Sequence, residues 1–407
     1  MTFRIGRTLP PAAAPIFFSD ILAGIAGIAT GEDGIKRFEK ELREFFKVRH
    51  CFAVSSGKAA LVLVLKALKK LQPDRDEVII PAYTCYSVPS AISKSGLKIK
   101  LCDLAIGSLD FDYEQLEKLL ENPRILCVVP THLFGLPVDI ERVKALAEKR
   151  GIFVVEDAAQ AMGSEWNGKK SGTTGDVGLF SLGRGKAFST VEGGIIITEN
   201  AQIGEAIESQ VIFLENPGLL DNIKIFIYAL AVSFLINPWV FWLPRSLPFL
   251  KLGETIFDTS FPIRRLSAFQ AGLARGWRNR LTNFRKTRLY NAIGFYRHGI
   301  TYPGLTGTKI PDMIKFPVLI ADLDKKKELL DKSEKSGLGI SSGYPDIVSS
   351  IKELEYLSDQ TSFPAAKAVA RTLVALPVHP FLNESDLKKI IQTVKTAIQP
   401  SAIKITS

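Results

Sequence analysis

A chain of 407 residues that is 46% hydrophobic and 23% charged can bury a large core and is no disordered tail or peptide module. Glycine and proline are scattered, no internal repeat is visible, and the formal net charge is +10.

The opening stretch, "MTFRIGRTLPPAAAPIFFSD", has two arginines ahead of apolar residues, but Pro10, Pro11, Pro15 and Asp20 interrupt any signal-peptide core. Residues 1–34 therefore read as an N-terminal arm. The four cysteines, Cys51, Cys85, Cys102 and Cys127, sit mostly in or beside apolar runs without CxxC spacing, which points to reduced thiols in a cytoplasmic protein. No metal-ligand spacing is present.

From about residue 35 to 200, short apolar runs alternate with helix-length amphipathic stretches. "RFEKELREFF" and "AALVLVLKALKKL" read as helices, and "EVIIP", "LKIKLCDL", "RILCVVP", "IFVVEDAA", "GLFSL" and "GGIIITE" as buried strands. In "VDIERVKALAEKRG", Asp139 suits the helix cap and Gly151 the left-handed stop. The pattern predicts an α/β fold with a mostly parallel sheet in a large domain, 35–258, and a smaller C-terminal α/β domain, 259–407, entered through a long helix over "RLSAFQAGLARGWRNRLTNFRKTRLYNAI".

Two segments stand outside that pattern. Within residues 222–253, an insert, the twenty positions between Lys224 and Arg245 carry no charge and include Phe226, Phe234, Trp239, Phe241 and Trp242. That length could cross a bilayer, yet Asn237-Pro238 interrupts it and a crossing would part the two halves of one protein. A monotopic element in one leaflet, or a segment buried between protein chains, fits better; Trp beside Lys224, Arg245 and Lys251 suits a lipid–water boundary. Then, between Asp258 and Asp312, ten Lys or Arg occur with no acid. Such a block serves an anionic partner or is a solvated helix face; without a binding motif beside it, nucleic acid is the weakest option.

"FSLGRGKAFSTVEGG" places Lys186 among glycines straight after a strand. An amine in a dry turn near a second cation such as Arg184 is suited to condense with a carbonyl, because desolvation and like charge favour its neutral form. The groups that pyridoxal phosphate needs beside such a lysine are present. Asp157 ends the strand of "VVEDAAQAMG", where a parallel sheet displays functional groups and a carboxylate could pair the ring nitrogen; a helix cap is the plain alternative. Ser55, Ser56, Gly57 and Lys58 precede a helix whose free N–H groups would favour a phosphate, though such a turn is common without ligand.

Together these segments resemble the sugar aminotransferases of the DegT/DnrJ/EryC1/StrS family, a branch of the fold-type-I pyridoxal phosphate enzymes. "AVSSGKAAL", "DEVIIPAYTCYSVPSAI", the long run from "VVPTHLFG" through "EDAAQAMG" to "SLGRGKAF" with "EGG", "RRLSAFQAGL" and "FPAAKAVARTLVALPVHPFLNESDLKKII" carry the resemblance over nearly the whole chain. It implies that Lys186 binds the cofactor aldehyde and moves protons, that Asp157 pairs the pyridinium, and that Gln160 lies beside the ring hydroxyl. It also implies phosphate-side contacts from Ser56, Gly57 and Ser181, a homodimer, glutamate as amino donor, and a keto-sugar substrate, nucleotide-linked or lipid-linked, for polysaccharide or glycan synthesis. His132 matches a family position near the active-site layer or is a core histidine.

The sequence departs from the family at three places. Lys58 stands where threonine is usual and meets a phosphate only as a point charge. The ring-stacking aromatic falls at Cys85, leaving Tyr83 or Tyr86 as substitutes. The asparagine that reaches the phosphate across a dimer aligns with Ile263, with Arg264 or Arg265 as replacements. Members that carry histidine in place of the lysine catalyse dehydration, and Lys186 argues against that branch. The competing expectation is a non-catalytic, membrane-associated paralogue that keeps the fold as a binding or regulatory protein.

Overall fold

A computed structural model of the chain describes residues 5–247, 255–305, 309–357 and 362–398. Strands β1 (His50–Val54), β2 (Glu77–Pro81), β3 (Lys98–Cys102), β4 (Ile125–Val128), β5 (Phe153–Asp157), β8 (Val177–Ser181) and β9 (Gly194–Thr198) form a seven-stranded sheet in the order β1-β9-β8-β5-β4-β2-β3. Only β9 runs against its neighbours. A two-stranded hairpin, β6 (Glu165–Trp166) with β7 (Lys169–Lys170), lies beyond β5. The strands are buried on both faces, as their continuous Val, Ile and Leu runs require.

Helices α1 (Phe18–Phe46), α2 (Gly57–Leu71), α3 (Ser87–Lys94), α4 (Tyr113–Leu119), α5 (Ile140–Glu148) and α6 (Ala201–Val211) belong to this half of the chain. Asp139 caps α5 by accepting the Arg142 N–H at 3.0 Å, and Gly151 closes the turn beyond it at φ 62°. Next come α7 (Leu219–Leu235), α8 (Trp242–Arg245) and α9 (Ala268–Leu273), then α10 (Trp277–Arg297). The helix expected without a break from 265 onward is two, because Gly276 takes φ 74° and ends the first run. The C-terminal part pairs β10 (Lys315–Leu319), β11 (Ser341–Ser342) and β12 (Leu373–Pro377) in the order β10-β12-β11, backed by α11 (Leu323–Ser336), α12 (Pro364–Thr372) and α13 (Glu384–Ile398).

Helix starts inside the segment read as an arm. α1 begins at Phe18 and kinks at Gly31 (φ 52°, ψ −131°). Its glycines make a poor helix on propensity alone, but Gly24 and Gly27 lie against α9 so closely that a Cβ would come within 2.7 Å of the Phe269 ring and of the Gly272 backbone. Tertiary contact, not local preference, makes this helix. The basic block also differs from expectation: Arg264 pairs with Asp221, Arg265 with Glu32, Arg278 with Glu44, Arg280 with Asp20 and Arg285 with Asp312. Those five arginines tie α10 and the strand-like 262–265 segment to acids elsewhere in the chain, whereas Arg275, Lys286 and Arg297 of the same block stay exposed, so only part of it is a solvated face. All four cysteines are free thiols.

The 5–16 segment runs across both sheets' surroundings and is pinned at its centre by His379, which is fully buried, donates from Nε2 to Pro10 O at 2.8 Å and accepts the Phe381 N–H at 3.3 Å through Nδ1. Burial pushes its pKa down to about 3, aided by the charge of Arg288. A depressed pKa means that the unfolded chain takes up the proton first, so this stability is complete above the ordinary value near 6.5 and is lost as pH falls toward 3. Between pH 7 and 5 that loss is about 2 kcal/mol, and the difference between wild type and His379→Gln in urea unfolding at the two pH values measures it.

Candidate active site

Register brings the functional residues to one edge of the seven-stranded sheet. Val54, the last residue of β1, pairs with Gly194 of β9, and Gly194 pairs in turn with Ser181 at the end of β8. One strand further, Asp157 at the end of β5 pairs with Leu179. The edge therefore presents, side by side, the turn after β1, the first residue of β9 and the carboxyl ends of β8 and β5, which is where open α/β sheets place ligands. A cavity of roughly 540 Å³ opens there, and Lys186, Asp157, Gln160, Ser56, Gly57, Lys58 and Ser181 all line it.

The turn after β1 is built for close approach. Ser56 caps α2, its Oγ accepting the Ala59 N–H at 3.1 Å, and the N–H groups of Gly57 and Lys58 in the first turn have no intrahelical acceptor. A Cβ on Gly194 would lie 2.2 Å from Ser56 O, and one on Gly57 would lie 3.0 Å from Ser181 Cβ. Only glycine lets β9 and α2 meet at this spacing, which leaves a shallow cradle of backbone N–H groups and serine hydroxyls at a helix N-terminus. The Lys58 ammonium is turned away from bare solvent: it pairs with Asp258 at 3.1 Å and lies 4.3 Å over the Phe261 ring.

Asp157 is 5% exposed. Burial raises its pKa, opposed by the Ala159 N–H on Oδ1 at 3.0 Å, by the charge of Lys186, and by the Thr131 hydroxyl. It caps no helix. Its neighbour Glu156 points to the opposite face and is a different kind of acid: it accepts His132 Nε2 at 2.9 Å and the N–H groups of Gly172, Thr174 and Gly175. Burial opposes its ionisation, but these donors win and hold its carboxyl below the usual range. Because His132 Nδ1 accepts the Val138 N–H at 3.1 Å, its proton sits on Nε2, facing Glu156. His132 is thus a buried bracket behind the site.

Lys186 occupies the turn from β8 to β9. Its backbone is held by Arg288 of α10, whose guanidinium donates to Lys186 O at 3.1 Å, Ala187 O at 2.8 Å and Ala13 O at 3.2 Å. Burial lowers the Arg288 pKa to about 10. Val191, in the same turn, takes φ 73°, a costly conformation for a β-branched residue. Arg184 lines the cavity and is exposed; the cation electrostatically coupled to Lys186 is Lys315 at the start of β10, whose pKa burial and the Lys186 charge push down to about 8.

Gln160 is locked at both ends, accepting the Phe134 N–H at 3.0 Å and donating to Tyr344 Oη at 2.8 Å. Neither tyrosine expected to replace the stacking aromatic lines the cavity. Tyr83 Oη accepts the Tyr344 N–H at 2.8 Å, and Tyr86 Oη donates to Asp346 O and accepts its N–H, both at 3.2 Å, so these side chains anchor the 344–346 segment. That wall is Cys85, Ser87 and Val88 instead. Arg264 and Arg265 do line the cavity, each paired with an acid of its own chain, while Ile263 packs against the core.

Residues 24–235 match the DegT/DnrJ/EryC1/StrS aminotransferase family. The chain belongs to that family. It is 26% identical over 378 residues, 90% of either chain, to the spore coat polysaccharide biosynthesis protein SpsC of Bacillus subtilis. It is 33% identical over 186 residues to a GDP-perosamine synthase of Vibrio cholerae, a match that spans 46% of this chain and about half, 49%, of that relative. Helicobacter pylori PseC, an aminotransferase involved in the biosynthesis of pseudoaminic acid, superposes with a TM-score of 0.76 at 19% identity, covering 96% of this chain and 99% of its own, which shows the fold. By family the protein is an aminotransferase, and Spr1654 of Streptococcus pneumoniae, solved in a pyridoxal phosphate form, shares the fold at 20% identity with a TM-score of 0.72.

The site fits that cofactor: a buried carboxylate without a cation of its own, an amine on the facing turn, and a glycine-walled cradle of N–H groups share one cavity. Sequence reading missed Tyr344, Arg288, Lys315 and Glu156 as site residues, because nothing local marks a Gly-Tyr-Pro loop, one cation among the ten of the basic block, or a residue within a strand. Arg288→Met leaves three backbone carbonyls without their donor, and a loss of about 3 kcal/mol is expected in chemical denaturation.

Proposed function

We propose that this family member is a homodimer that transfers an amino group from glutamate to the keto group of a nucleotide-linked sugar, at the cytoplasmic stage of making a surface polysaccharide or related glycan. The observation that carries the reading is the meeting of Lys186 and Asp157 in one cavity beside the Ser56–Gly57–Ser181 cradle. The names of the relatives support the sugar class, since one is a GDP-perosamine synthase and another serves a spore coat polysaccharide.

When bound, pyridoxal phosphate supplies an aldehyde that condenses with amines and a cationic ring that withdraws electrons from the adjoining carbon. Asp157 would accept the ring N–H: a carboxylate desolvated at the strand end gains most from a fixed cation and would keep that nitrogen protonated. Lys186 Nζ, on the cavity wall, would be the amine that holds the cofactor's aldehyde and, when free, the base placed to move a proton between the substrate carbon and the cofactor. Gln160, fixed by Phe134 and Tyr344, would offer a preset edge to the ring hydroxyl, and the α2 N-terminus with Ser56 and Ser181 would hold the phosphate.

A lipid-linked keto-sugar is the second reading, favoured because α7 places Ile225 and Tyr228 on the cavity wall. Initial rates with a nucleotide-linked and a polyprenyl-linked keto-sugar separate the two.

The purified protein should be yellow, and borohydride followed by peptide mapping should fix the cofactor on Lys186; glutamate should convert the cofactor to its amine form. A colourless protein that takes up no pyridoxal phosphate would instead be the non-catalytic paralogue. Lys186→Ala should lose the trapped peptide and all turnover. Asp157→Asn should keep the phosphate anchored yet slow the glutamate half-reaction by roughly 10²–10³-fold in stopped-flow absorbance.

A further inference from the structure

Helix α7 is inverted for a water-facing element. Ile225, Phe226, Ala229 and Val232 turn inward onto Ile16, Ile21, Phe269 and Leu273, and its opposite face carries Leu219, Leu220, Ile223, Ile227, Leu230 and Phe234 at spacings of three or four, every one exposed. Leu220 is 81% exposed and Phe234 65%. The neighbouring first half of α1 repeats the pattern: Gly24 and Gly27 pack on α9, while Phe18, Leu22, Ile25 and Ile28 face out. Two packed helices thus present adjacent apolar stripes, well beyond the isolated apolar residues normal on a surface.

We infer that these paired stripes seat the protein on the surface of an anionic lipid bilayer, with the cavity mouth at the interface. Four observations select lipid over a second copy of the chain. The stripes hold no hydrogen-bonding side chain, whereas protein interfaces carry roughly one hydrogen bond per 100–200 Å². Exposed Lys224 and Arg245 flank the α7 stripe, Trp239 follows its end at 65% exposure, and this is the residue order of a headgroup boundary. The nearby acids Asp20 and Asp221 are already paired with Arg280 and Arg264, which reduces the negative charge facing an anionic surface there. One flank of α7, through Asp221, Lys224, Ile225 and Tyr228, is continuous with the cavity wall. The element lies on the membrane, since among the described residues no helix is long and apolar enough to cross one; α7 is about 25 Å long. Lys251, expected at this boundary, lies outside the described residues.

Flotation of the holoprotein with vesicles of phosphatidylglycerol and phosphatidylethanolamine tests this without using the catalytic site. Wild type should float with these vesicles and less with pure phosphatidylcholine. Ile223→Glu/Ile227→Glu, and separately Leu22→Glu/Ile25→Glu, should each lower partitioning about tenfold or more, with the cofactor absorbance and glutamate half-reaction retained as evidence of folding; Arg245→Gln should weaken only the anionic arm. Wild type left at the bottom of the gradient, or double variants that float equally well, would overturn the proposal. Light scattering that shows a wild-type dimer becoming monomeric in these variants, with no flotation, would assign the stripes to a second copy instead.

Discussion

A carboxylate that has lost its water at the end of a strand, and that has an amine on the next turn to answer it, is the constraint around which this chain is organised. Asp157 is almost wholly buried, and the donors around it offset desolvation only in part. Such a group is unfavourable in an empty fold and favourable once a cationic ring stands before it. The sheet register that aligns Val54, Gly194 and Ser181 next to it exists only because glycine at 194 lets two backbones meet. Loss of that contact would move the cradle away from the carboxylate.

The alternation of a strand separates chemistry from support. Asp157 faces the cavity, and the preceding residue, Glu156, faces away, where it gathers three backbone N–H groups and His132. Two acids adjacent in sequence are thereby driven in opposite directions, one raised and one lowered. Arg288 plays the same supporting part for the lysine: a buried cation that makes no ion pair among the described residues directs its guanidinium N–H groups to three carbonyls, one of them that of Lys186 itself. The strained Val191 lies in the turn this arginine holds.

Around this polar centre the chain arranges apolar surface in two unlike ways. The sheet and its flanking helices close over Val, Ile and Leu from strands buried on both faces, whereas α1 and α7 leave their outer faces uncovered. The charge that the sequence concentrates in 259–311 compensates acids on α1, α7 and Asp312, so the positive field near the mouth rests on fewer residues, among them Arg184, Lys224 and Arg245, than composition suggests.

Periodicity in the chain was enough to specify the α/β class and to place strand, helix cap and stop around Asp139 and Gly151, because these depend on neighbours three or four residues away. The motifs around Ser56, Asp157, Gln160 and Lys186 were legible for the same reason: each is a short run at a strand end. Sequence could not show that α1 starts at Phe18, since its glycines oppose a helix until α9 packs on them, nor that Tyr83 and Tyr86 hold the 344–346 segment instead of walling the cavity. Those outcomes turn on partners more than 200 residues away, and the pairing of Lys58 with Asp258 and the grip of Arg288 on Lys186 join residues 200 and 102 positions apart. Local pattern fixes what a segment can become, and long-range packing decides which of its side chains remain free to act, because burial and pairing are properties of the assembled fold.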